Sequence, residues 1–370
     1  MPIYMGFLCT ERGMVINMSN KKKLLLAMSG GVDSSVALIL LKDKFNVCGV
    51  TMIVSDDNKA ATDAEKIAGS FGILHYAFDL KEEFTQTVVE TFIKTYENGE
   101  TPNPCVVCNK HIKFGSFFET AASALDCNMM ATGHYARVEY DSGSGRFLLK
   151  KAVSDNKINA KDQTYVLYTL SQEQLSRVIF PLGILSKEQV RQIAAENNLI
   201  NSNQPDSQDI CFIPDGDYAG FIRAYTGKAF KSGDITDKNG NVLGQHSGLI
   251  HYTIGQRKGL GLSTPKPLYV TGKDAALNLV TAGESAELFS NSLTAHNLNW
   301  IAFPELKSTL RLYAKTRYSQ PEQPCLVSPV DGKKVKVVFD SPQRAITPGQ
   351  SVVFYDNDTV VGGGVIAVDN

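Results

Sequence analysis

Two cysteines in a proline-flanked stretch are the first residues of this sequence that suggest chemistry. Residues 103–115 read NPCVVCNKHIKFG and hold Cys105 and Cys108 in a C-x-x-C spacing. The spacing fits four kinds of site: zinc, a redox pair, an iron–sulfur cluster, or a sulfur nucleophile with a neighbouring thiol. No second C-x-x-C supplies the usual zinc set. The basic letters KHIK follow, and such side chains can lower the pKa of a nearby thiol.

Residues 24–41, LLLAMSGGVDSSVALILL, have the pattern of a loop that binds phosphate. An apolar run ends at Met28, a Ser-Gly-Gly turn follows, and apolar residues at helical spacing begin near Val32. Glycines let a phosphate approach the backbone, and a helix N-terminus favours an anion. Asp33 is suited to hold a Mg²⁺ ion that bridges phosphates. No lysine follows the glycines, so this is not the G-x-x-x-x-G-K-[ST] loop.

The surrounding pattern predicts the sheet that would position this loop. Apolar runs predict strands, and apolar residues at helical spacing predict helices between them. Their alternation predicts an α/β fold, a Rossmann-like parallel sheet with helices on both faces. The strands are expected at 23–28, 47–54, 74–80 and 129–134, and the helices at 32–40, 63–72, 83–96 and 114–125. Two more helices are expected at 163–179 and 186–199, then a short strand at 209–214.

The composition and the predicted secondary structure of the chain change after about residue 220. Glycine-containing turns multiply there, and KNGN at 238–241 predicts a hairpin. From about residue 290 strand patterns dominate, which predicts a C-terminal β-barrel, with a sandwich as the alternative. The expected division is a disordered tail at 1–20, a catalytic domain at 21–220, a small β-rich domain at 221–285 and the barrel at 286–370.

Composition restricts the class of protein only loosely. The net charge is −1 and the pI is about 6.6, which argues weakly against nucleic-acid binding. Five basic runs can still form a positive face: 21–23, 109–113, 150–151, 256–258 and 333–336. No apolar run approaches the length of a membrane helix and no signal peptide is expected. Seven cysteines, an odd number, favour a reducing, cytoplasmic setting.

The phosphate loop carries the first resemblance to a known family. Its letters SGGVDS resemble the S-G-G-x-D-S loop of the ATP pyrophosphatase (PP-loop) superfamily, which cleaves ATP to AMP and pyrophosphate. From about residue 21 to the C-terminus, the chain further resembles the bacterial and mitochondrial tRNA-specific 2-thiouridylases. The matching stretches are AMSGGVDSSV, NPCVVCNKHIKFG, ATGHYARV, KDQTYVLYTL, DSQDICFIP, GQHSGLIHYTIGQRKGLG, AKTRY and PGQSVVFY.

The resemblance implies a reaction and a pair of catalytic residues. A carrier protein would pass a persulfide sulfur to Cys211, and ATP would adenylate O2 of uridine 34 in the tRNA anticodon. The sulfur would attack C2, AMP would leave, and Cys108 would help release the sulfur through a disulfide with Cys211. Thiolates suit this chemistry because they are strong nucleophiles.

The resemblance also implies binding residues. ATP would contact Ala27, Met28, Ser29, Gly30, Gly31, Val32, Asp33, Ser34, Met52 and Gly133. The target base would contact Asn103, Pro104 and Cys105. The tRNA would contact His134, Lys161, Asp162, Gln163, Arg317, Tyr318 and Gln350.

One departure from the family pattern leaves alternatives open. Many members have Asp at the position of Cys105, which puts the proton-transfer role of that position in doubt. Cys105, Cys108 and Cys211 would instead supply three corners of a [4Fe–4S] cluster with one open iron. An adenylating synthetase or amidotransferase acting on a small molecule is a further alternative, and it would need neither catalytic thiol. Cys9, Cys48, Cys127 and Cys325 are expected to be bystanders.

Overall fold

The computed structural model describes residues 21–154, 157–158, 161–202 and 210–368. The predicted tail at 1–20, with Cys9, lies outside the described residues. The strands in chain order are β1 Lys23–Ala27, β2 Asn46–Ile53, β3 His75–Asp79, β4 Met130–Thr132, β5 Ala136–Asp141, β6 Arg146–Lys151, β7 Val153–Ser154, β8 Lys157–Ile158, β9 Val178–Ile179, β10 Gly233–Thr236, β11 Val242–His246, β12 Tyr269–Asp274, β13 Leu279–Gly283, β14 Phe289–Trp300, β15 Leu310–Lys315, β16 Gln323–Pro329, β17 Val335–Arg344, β18 Ser351–Asp356 and β19 Thr359–Ile366.

The helices are mostly short. They are α1 Val32–Leu41, α2 Lys59–Ser70, α3 Lys81–Phe84, α4 Glu90–Glu97, α5 Pro104–Val107, α6 Phe117–Leu125, α7 Gln172–Ser176, α8 Lys187–Glu196 and α9 Tyr218–Thr226. In the described part of the chain, the stretches Thr85–Val89 and Cys108–Ser116 are π-helical. The stretches Thr164–Val166, Leu249–His251 and Ser285–Leu288 are 3₁₀ turns.

The first sheet confirms the predicted α/β architecture. Its five strands pair in parallel in the order β3-β2-β1-β4-β9. The leucines of β1 are fully buried, as expected of a central strand covered on both faces. Because β2 and β4 lie on opposite sides of β1, the strand order reverses at β1, and a ligand crevice is expected at its carboxyl end.

The hairpin prediction in the central domain is also confirmed. Strands β10 and β11 pair antiparallel across KNGN, and with β12 and β13 they form a four-stranded sheet. Asp237 closes the turn, since its N–H donates to the Asn241 carbonyl at 2.9 Å. This sheet packs on its own small core, which includes Ile235, Val270 and Val280.

Six antiparallel strands form the C-terminal barrel, which confirms the barrel and excludes the sandwich. They run in the order β14-β17-β16-β15-β18-β19, and pairing of β14 with β19 closes the ring. The β5–β6 hairpin of the first domain extends this sheet through Thr359 and Lys150. Lys151 follows in β6, is 4% exposed, and its Nζ lies 2.5 Å from Glu322 Oε1 in the barrel loop. The two domains therefore share buried contacts.

Two sequence predictions of local structure are wrong. Residues 163–179 do not form one helix, because the Ser171 capping box starts a new helix and Tyr165 and Tyr168 are buried against neighbouring elements. The described part of the predicted strand at 209–214 is a turn instead, closed by the hydrogen bond from Ile213 N–H to the Ile210 carbonyl at 2.8 Å. Its apolar residues are buried as anchors rather than as sheet residues.

Candidate active site

The loop after β1 has the geometry of an anion site. Gly31 precedes α1 with extended backbone, and Gly30 has a φ of +73° that disfavours side chains. The Ser34 and Ser35 hydroxyls both donate to the Gly31 carbonyl, at 3.0 and 2.9 Å. The Ser29 N–H donates to Ser34 Oγ at 3.3 Å. These bonds hold the loop open at the N-terminus of α1, where a phosphate is favoured.

Gly133, after β4, lies directly against the start of α1. A Cβ atom at this position would be 2.9 Å from the Asp33 carbonyl carbon and from the Ser34 nitrogen. Only glycine fits without displacing the loop, which explains why the sequence has Gly133 at the edge of the predicted crevice. Met52 lies at the carboxyl end of β2, two strands away, and is partly buried.

Asp33 is held by two residues that sequence reasoning missed. The Lys187 Nζ lies 2.8 Å from Asp33 Oδ1 and 3.0 Å from Oδ2, and the Tyr135 hydroxyl donates to Oδ1 at 2.8 Å. Lys187 is 8% exposed, yet it occupies the first turn of α8, where the helix dipole disfavours a cation. The sequence did offer a signal for Lys187. A lysine directly after the Ser186 N-cap lies in an unfavourable place for a cation, which indicates that a carboxylate elsewhere in the chain pairs with it.

Asn201 is a second missed neighbour of the loop. Its Nδ2 donates to the Gly30 carbonyl at 2.7 Å and to Ser35 Oγ at 3.0 Å. Its Oδ1 is buried without a hydrogen-bond partner among the described residues. The chain after α8 therefore supports the phosphate loop from outside, and nothing in the local sequence signalled this contact.

The C-x-x-C stretch forms a helix start followed by a widened turn. Asn103 caps α5 by accepting from the Val106 N–H at 3.4 Å, and Pro104 occupies the first helical position. Cys108 then begins the π-helical stretch, which ends in a kink at Gly115. The Asn109 side chain, 2% exposed, fastens this stretch by donating to the Val166 carbonyl at 3.0 Å. Cys108 thus sits on a supported backbone rather than on a free loop.

The thiols of Cys105, Cys108 and Cys211 are close enough for their charges to interact, and the region around them is here called the thiol cleft. Cys105 and Cys211 are water-accessible and Cys108 is partly buried, and all three are free thiols. Burial by the cleft walls raises the pKa of each, and raises the pKa of Cys211 to about 11 with help from Cys108 and Cys105. The expectation that Cys108 and Cys211 come together is consistent with the effect of Cys108 on the pKa of Cys211.

Lys113 is the cation that faces these thiols. Its charge opposes the effect of burial on the pKa of Cys105, Cys108 and Cys211. It also lowers the pKa of His134, after burial as the larger cause, so that His134 stays neutral. His134 Nδ1 is 2.7 Å from Thr132 Oγ1, and its ring packs between Phe114 and Phe180. Of the basic residues in KHIK, Lys113 is the one that acts on the thiols.

The Cys211 loop is anchored by its next residue. The Phe212 ring packs edge-on against Phe84 at 5.7 Å and Phe92 at 5.4 Å between ring centroids. Ile213 is 2% exposed in the same core. These anchors fix the backbone beside Cys211 while its thiol remains open to a partner. Residues 203–209, which precede this loop, lie outside the described residues.

The iron–sulfur alternative is tested by how the ligands are arranged. Within the part of the chain that the structure describes, no group of three or more His, Cys, Asp or Glu side chains is arranged to hold a metal ion. Cys105, Cys108 and Cys211 share a cleft but do not form a three-point ligand set. The three thiols as placed therefore do not fit the ligand set that a cluster needs.

The barrel brings Tyr318 to this cleft. Tyr318 is 44% exposed, and Cys105 and Asp162 contribute, after burial, to raising the pKa of its hydroxyl. Its ring lies 6.1 Å from that of Tyr165, and Lys315 Nζ lies 5.8 Å from its centroid. An exposed aromatic ring with a nearby cation is suited to stack on an unpaired base.

The KDQ segment at 161–163 is largely used inside the protein. Asp162 accepts from the Ala152 N–H at 3.0 Å and the Thr164 hydroxyl at 2.6 Å, and burial raises its pKa. Gln163 pairs with Tyr135, whose N–H donates to Gln163 Oε1 at 3.0 Å. Lys161 is exposed. Of the three, Lys161 is the residue whose exposure suits a phosphate contact.

Two further residues expected at the RNA point inward instead. Arg317 Nη2 donates to the Ile254 carbonyl at 3.0 Å, the Ala345 carbonyl at 3.1 Å and Thr347 Oγ1 at 2.5 Å. Gln350 Nε2 donates to the carbonyls of residues 101 and 102, at 3.0 and 2.9 Å. Both side chains join domains.

Comparison with known proteins matches all three parts of the chain to one family. The models matched are the tRNA methyl transferase HUP domain over residues 22–215, the tRNA methyl transferase PRC-barrel domain over 219–284, and the aminomethyltransferase beta-barrel domain over 290–366. A protein of Acetivibrio thermocellus named tRNA-specific 2-thiouridylase MnmA is 46% identical over 94% of this chain and 99% of its own. The chain belongs to the tRNA-specific 2-thiouridylase family. Relatives of the same name from Clostridioides difficile and Carboxydothermus hydrogenoformans are 45% and 46% identical, over 93% and 94% of this chain and 98% of each relative.

Membership of the 2-thiouridylase family explains the combination of sites. A PP-loop that uses ATP, a cleft of thiols and a β-barrel beside it occur here in one chain. The helices in the described part of the chain include none with the length and apolar character to cross a bilayer.

Proposed function

We propose that this protein uses ATP to replace O2 of uridine 34 in a tRNA anticodon with sulfur, through a persulfide on Cys211. The observation that carries the proposal is that the Cys108 thiol is close enough to Cys211 to raise the pKa of the Cys211 thiol, after burial as the larger cause. A small-molecule adenylating synthetase would account for the phosphate loop but would leave both thiols without a role. Because tRNA is the substrate, we place the reaction in the cytoplasm.

The first step uses the phosphate loop. ATP is consumed, so it is a substrate, and its phosphates would lie on residues 27–34, with Met52 and Gly133 beside the nucleotide. O2 of the uridine attacks the α-phosphorus, pyrophosphate leaves, and C2 becomes bonded to an adenylated oxygen. Asp33 is the residue that would hold a Mg²⁺ ion, and the ion would supply neutralisation of the phosphate charge. Lys187 and Tyr135 would hold the Asp33 carboxylate in place.

The second step transfers sulfur. A carrier protein with a persulfide gives Cys211 its outer sulfur, leaving the carrier as a thiol. The terminal sulfur of the Cys211 persulfide attacks C2, the C2–O bond breaks, and AMP leaves. The Cys108 thiolate then attacks Cys211 Sγ, the bond to the transferred sulfur breaks, and 2-thiouridine departs. The resulting Cys108–Cys211 disulfide needs a thiol reductant, which supplies two electrons before the next turnover.

The cleft around these thiols supports binding of an extruded base. Asn103, Pro104 and Cys105 precede Cys108 at the start of α5, and Cys105 is near enough to Tyr318 to affect the pKa of its hydroxyl, after burial and Asp162. A wobble uridine must leave its stack to reach ATP, and an aromatic ring stabilises such a base. Further contacts to the tRNA are proposed at His134 and Lys161. The side chains of Asp162, Gln163, Arg317 and Gln350 bond within the protein, so their expected part in tRNA binding would be to support the residues around them.

The test replaces the two thiols one at a time. Cys108→Ser and Cys211→Ser should each abolish formation of 2-thiouridine from ATP and a persulfide donor, while tRNA affinity stays within about twofold. Cys48→Ala, a half-buried thiol in β2, is the matched control and should retain activity. Full thiolation by either Cys108→Ser or Cys211→Ser would overturn the relay.

A further inference from the structure

The loop before strand β18 is a rigid part of the barrel. Residues 345–350, here called the junction segment, are fixed by the hydrogen bond from the Gly349 N–H to the Ile366 carbonyl at 3.0 Å. The Ile366 N–H donates back to the Gln350 carbonyl at 2.8 Å. Thr347, 1% exposed, accepts from Arg317 and donates to the Ala345 carbonyl at 2.9 Å. The junction segment is therefore rigid enough to fix the position of a neighbouring backbone segment.

What it holds is the backbone just before the catalytic stretch. Gln350 Nε2 donates to the Thr101 carbonyl at 3.0 Å and to the Pro102 carbonyl at 2.9 Å. The Thr101 N–H donates to the Pro348 carbonyl at 2.9 Å. Three hydrogen bonds thus join two consecutive residues of the first domain to the barrel.

The contact is close as well as hydrogen-bonded. A Cβ atom on Gly349 would lie 2.9 Å from Glu100 Cβ and 2.9 Å from the Thr101 carbonyl oxygen. Gly349 also has a φ of +85°, which disfavours side chains. Two independent constraints therefore call for glycine here, and the close approach is the one that arises from packing of the junction segment against residues 100–102.

Residues 101 and 102 lead directly into the thiol cleft. Asn103, the next residue, caps α5, and the helix carries Cys105 and ends at Cys108. Pro102 and Pro104 restrict the backbone on both sides of this cap. A displacement of the backbone at residue 102 would therefore also displace Cys105 and Cys108, because the backbone between them has little freedom to absorb it.

We infer that Gln350 is a positioning residue for the thiolation site. Its hydrogen bonds to residues 101 and 102 fix the backbone position of Cys108. The inference rests on the proposed function and goes beyond it, because it gives the barrel a role in building the site. Both hydrogens of the Gln350 amide are satisfied by carbonyls, which leaves no donor on this group for a tRNA phosphate. Any contact of Gln350 with tRNA is therefore secondary to its hydrogen bonds with the carbonyls of residues 101 and 102.

The test uses Gln350→Met, which keeps the length of the side chain and removes the donor. Gln343→Met is the matched control, since Gln343 is a partly buried glutamine of the same barrel whose amide, among the described residues, bonds to the nearby Ser341 carbonyl and not to another domain. Three quantities are measured on the full chain: hydrogen exchange of residues 100–108 without tRNA, tRNA affinity, and single-turnover thiolation at saturating tRNA and ATP. Thermal unfolding checks that both variants fold.

Gln350→Met should speed exchange in residues 100–108 by about tenfold and slow single-turnover thiolation by about tenfold, with tRNA affinity within about twofold. Gln343→Met should change none of these. Weaker tRNA binding with normal thiolation at saturation would overturn the inference in favour of an RNA contact. Unchanged exchange would overturn it too. Should the variant not fold, Gln350→Lys, which restores a donor, must recover slow exchange for the inference to stand. Because exchange needs no turnover, this result is separable from failure of the proposed function.

Discussion

The Lys187 ammonium lies within hydrogen-bond distance of both carboxylate oxygens of Asp33, although 154 residues separate them in the chain. The pair joins the first turn of α8 to the first turn of α1. Tyr135 completes it with a hydroxyl donated to the same carboxylate. The acid of the phosphate loop is therefore oriented before any nucleotide arrives, and preorganised charge of this kind is a large source of catalytic power.

Lys187→Met should slow ATP-dependent release of pyrophosphate by at least about tenfold, because a charge-assisted hydrogen bond contributes roughly 1.5–3 kcal/mol. The measurement is pyrophosphate release in the presence of tRNA. Lys42→Met is the control: Lys42 follows the last residue of α1 and, within the described ranges, forms its ion pair with the exposed Asp43. If Lys187→Met released pyrophosphate at the wild-type rate, Lys187 would have no part in adenylation.

The Cys211 thiol should react slowly at neutral pH. Its pKa is raised to about 11 by burial and by the neighbouring thiols, so only a small fraction is thiolate. Alkylation of Cys211, followed by mass spectrometry, should therefore speed up about tenfold for each pH unit between 7 and 10. A plateau below pH 9 would contradict the raised pKa.

Lys113 should be the cation that limits this rise. Its charge lowers the pKa of all three thiols, so Lys113→Gln should raise these pKa values and slow alkylation at a fixed pH. Lys110→Gln is the matched control, since Lys110 is an exposed lysine of the same stretch. Equal slowing in both variants would point to a general charge effect instead.

The sequence predicted the phosphate loop and the parallel sheet because both are encoded locally. A strand, a Ser-Gly-Gly turn and a helix start are adjacent in the chain, and so is the C-x-x-C cap. The contacts that support them are not local. Lys187 and Asn201 reach the loop from more than 150 residues away, and no periodicity or turn signal specifies such a partner.

Arg317 shows a different limit of sequence reasoning. An arginine beside Tyr318 in AKTRY suggested a phosphate contact, yet Nη2 bonds to three interior oxygens and Nε is buried without a partner among the described residues. The two neighbours differ in exposure. The Tyr318 ring is exposed towards the thiol cleft, whereas the Arg317 side chain is directed at the junction segment. Residue type alone could not distinguish an arginine that contacts RNA from an arginine that links two domains.

Arg317→Met should therefore lower the midpoint of thermal unfolding, by about 2–4 °C for each kcal/mol of lost hydrogen bonding. It should leave the salt dependence of tRNA binding unchanged, since that slope reports phosphate contacts. Arg311→Met, which removes an exposed barrel pair with Asp340, is the control for stability. A reduced salt slope at an unchanged midpoint would return Arg317 to the RNA interface.

Tyr318→Ala should weaken tRNA binding by about tenfold, because stacking of one base on an aromatic ring contributes roughly 1–3 kcal/mol. Tyr318→Phe keeps the ring and should bind tRNA nearly as the wild type does. Tyr313→Ala is the control, since Tyr313 is 48% exposed on the same barrel. Binding isotherms with the anticodon stem-loop give the comparison. Loss of affinity in Tyr318→Phe would mean that the hydroxyl, and not the ring, contacts the RNA.

Removal of iron should not affect thiolation. A cluster would need three thiolates converging on one cubane, whereas Cys105, Cys108 and Cys211 form no such group in the described part of the chain. The protein is purified anaerobically, its iron content and visible spectrum are recorded, and thiolation with ATP and a persulfide donor is compared before and after chelation. Iron near four atoms per chain, with activity lost on its removal, would contradict the persulfide relay. In iron-free, active protein, Cys105→Asp should keep thiolation, because an acid at this position is compatible with the family pattern and Cys105 would then serve the target base rather than a metal.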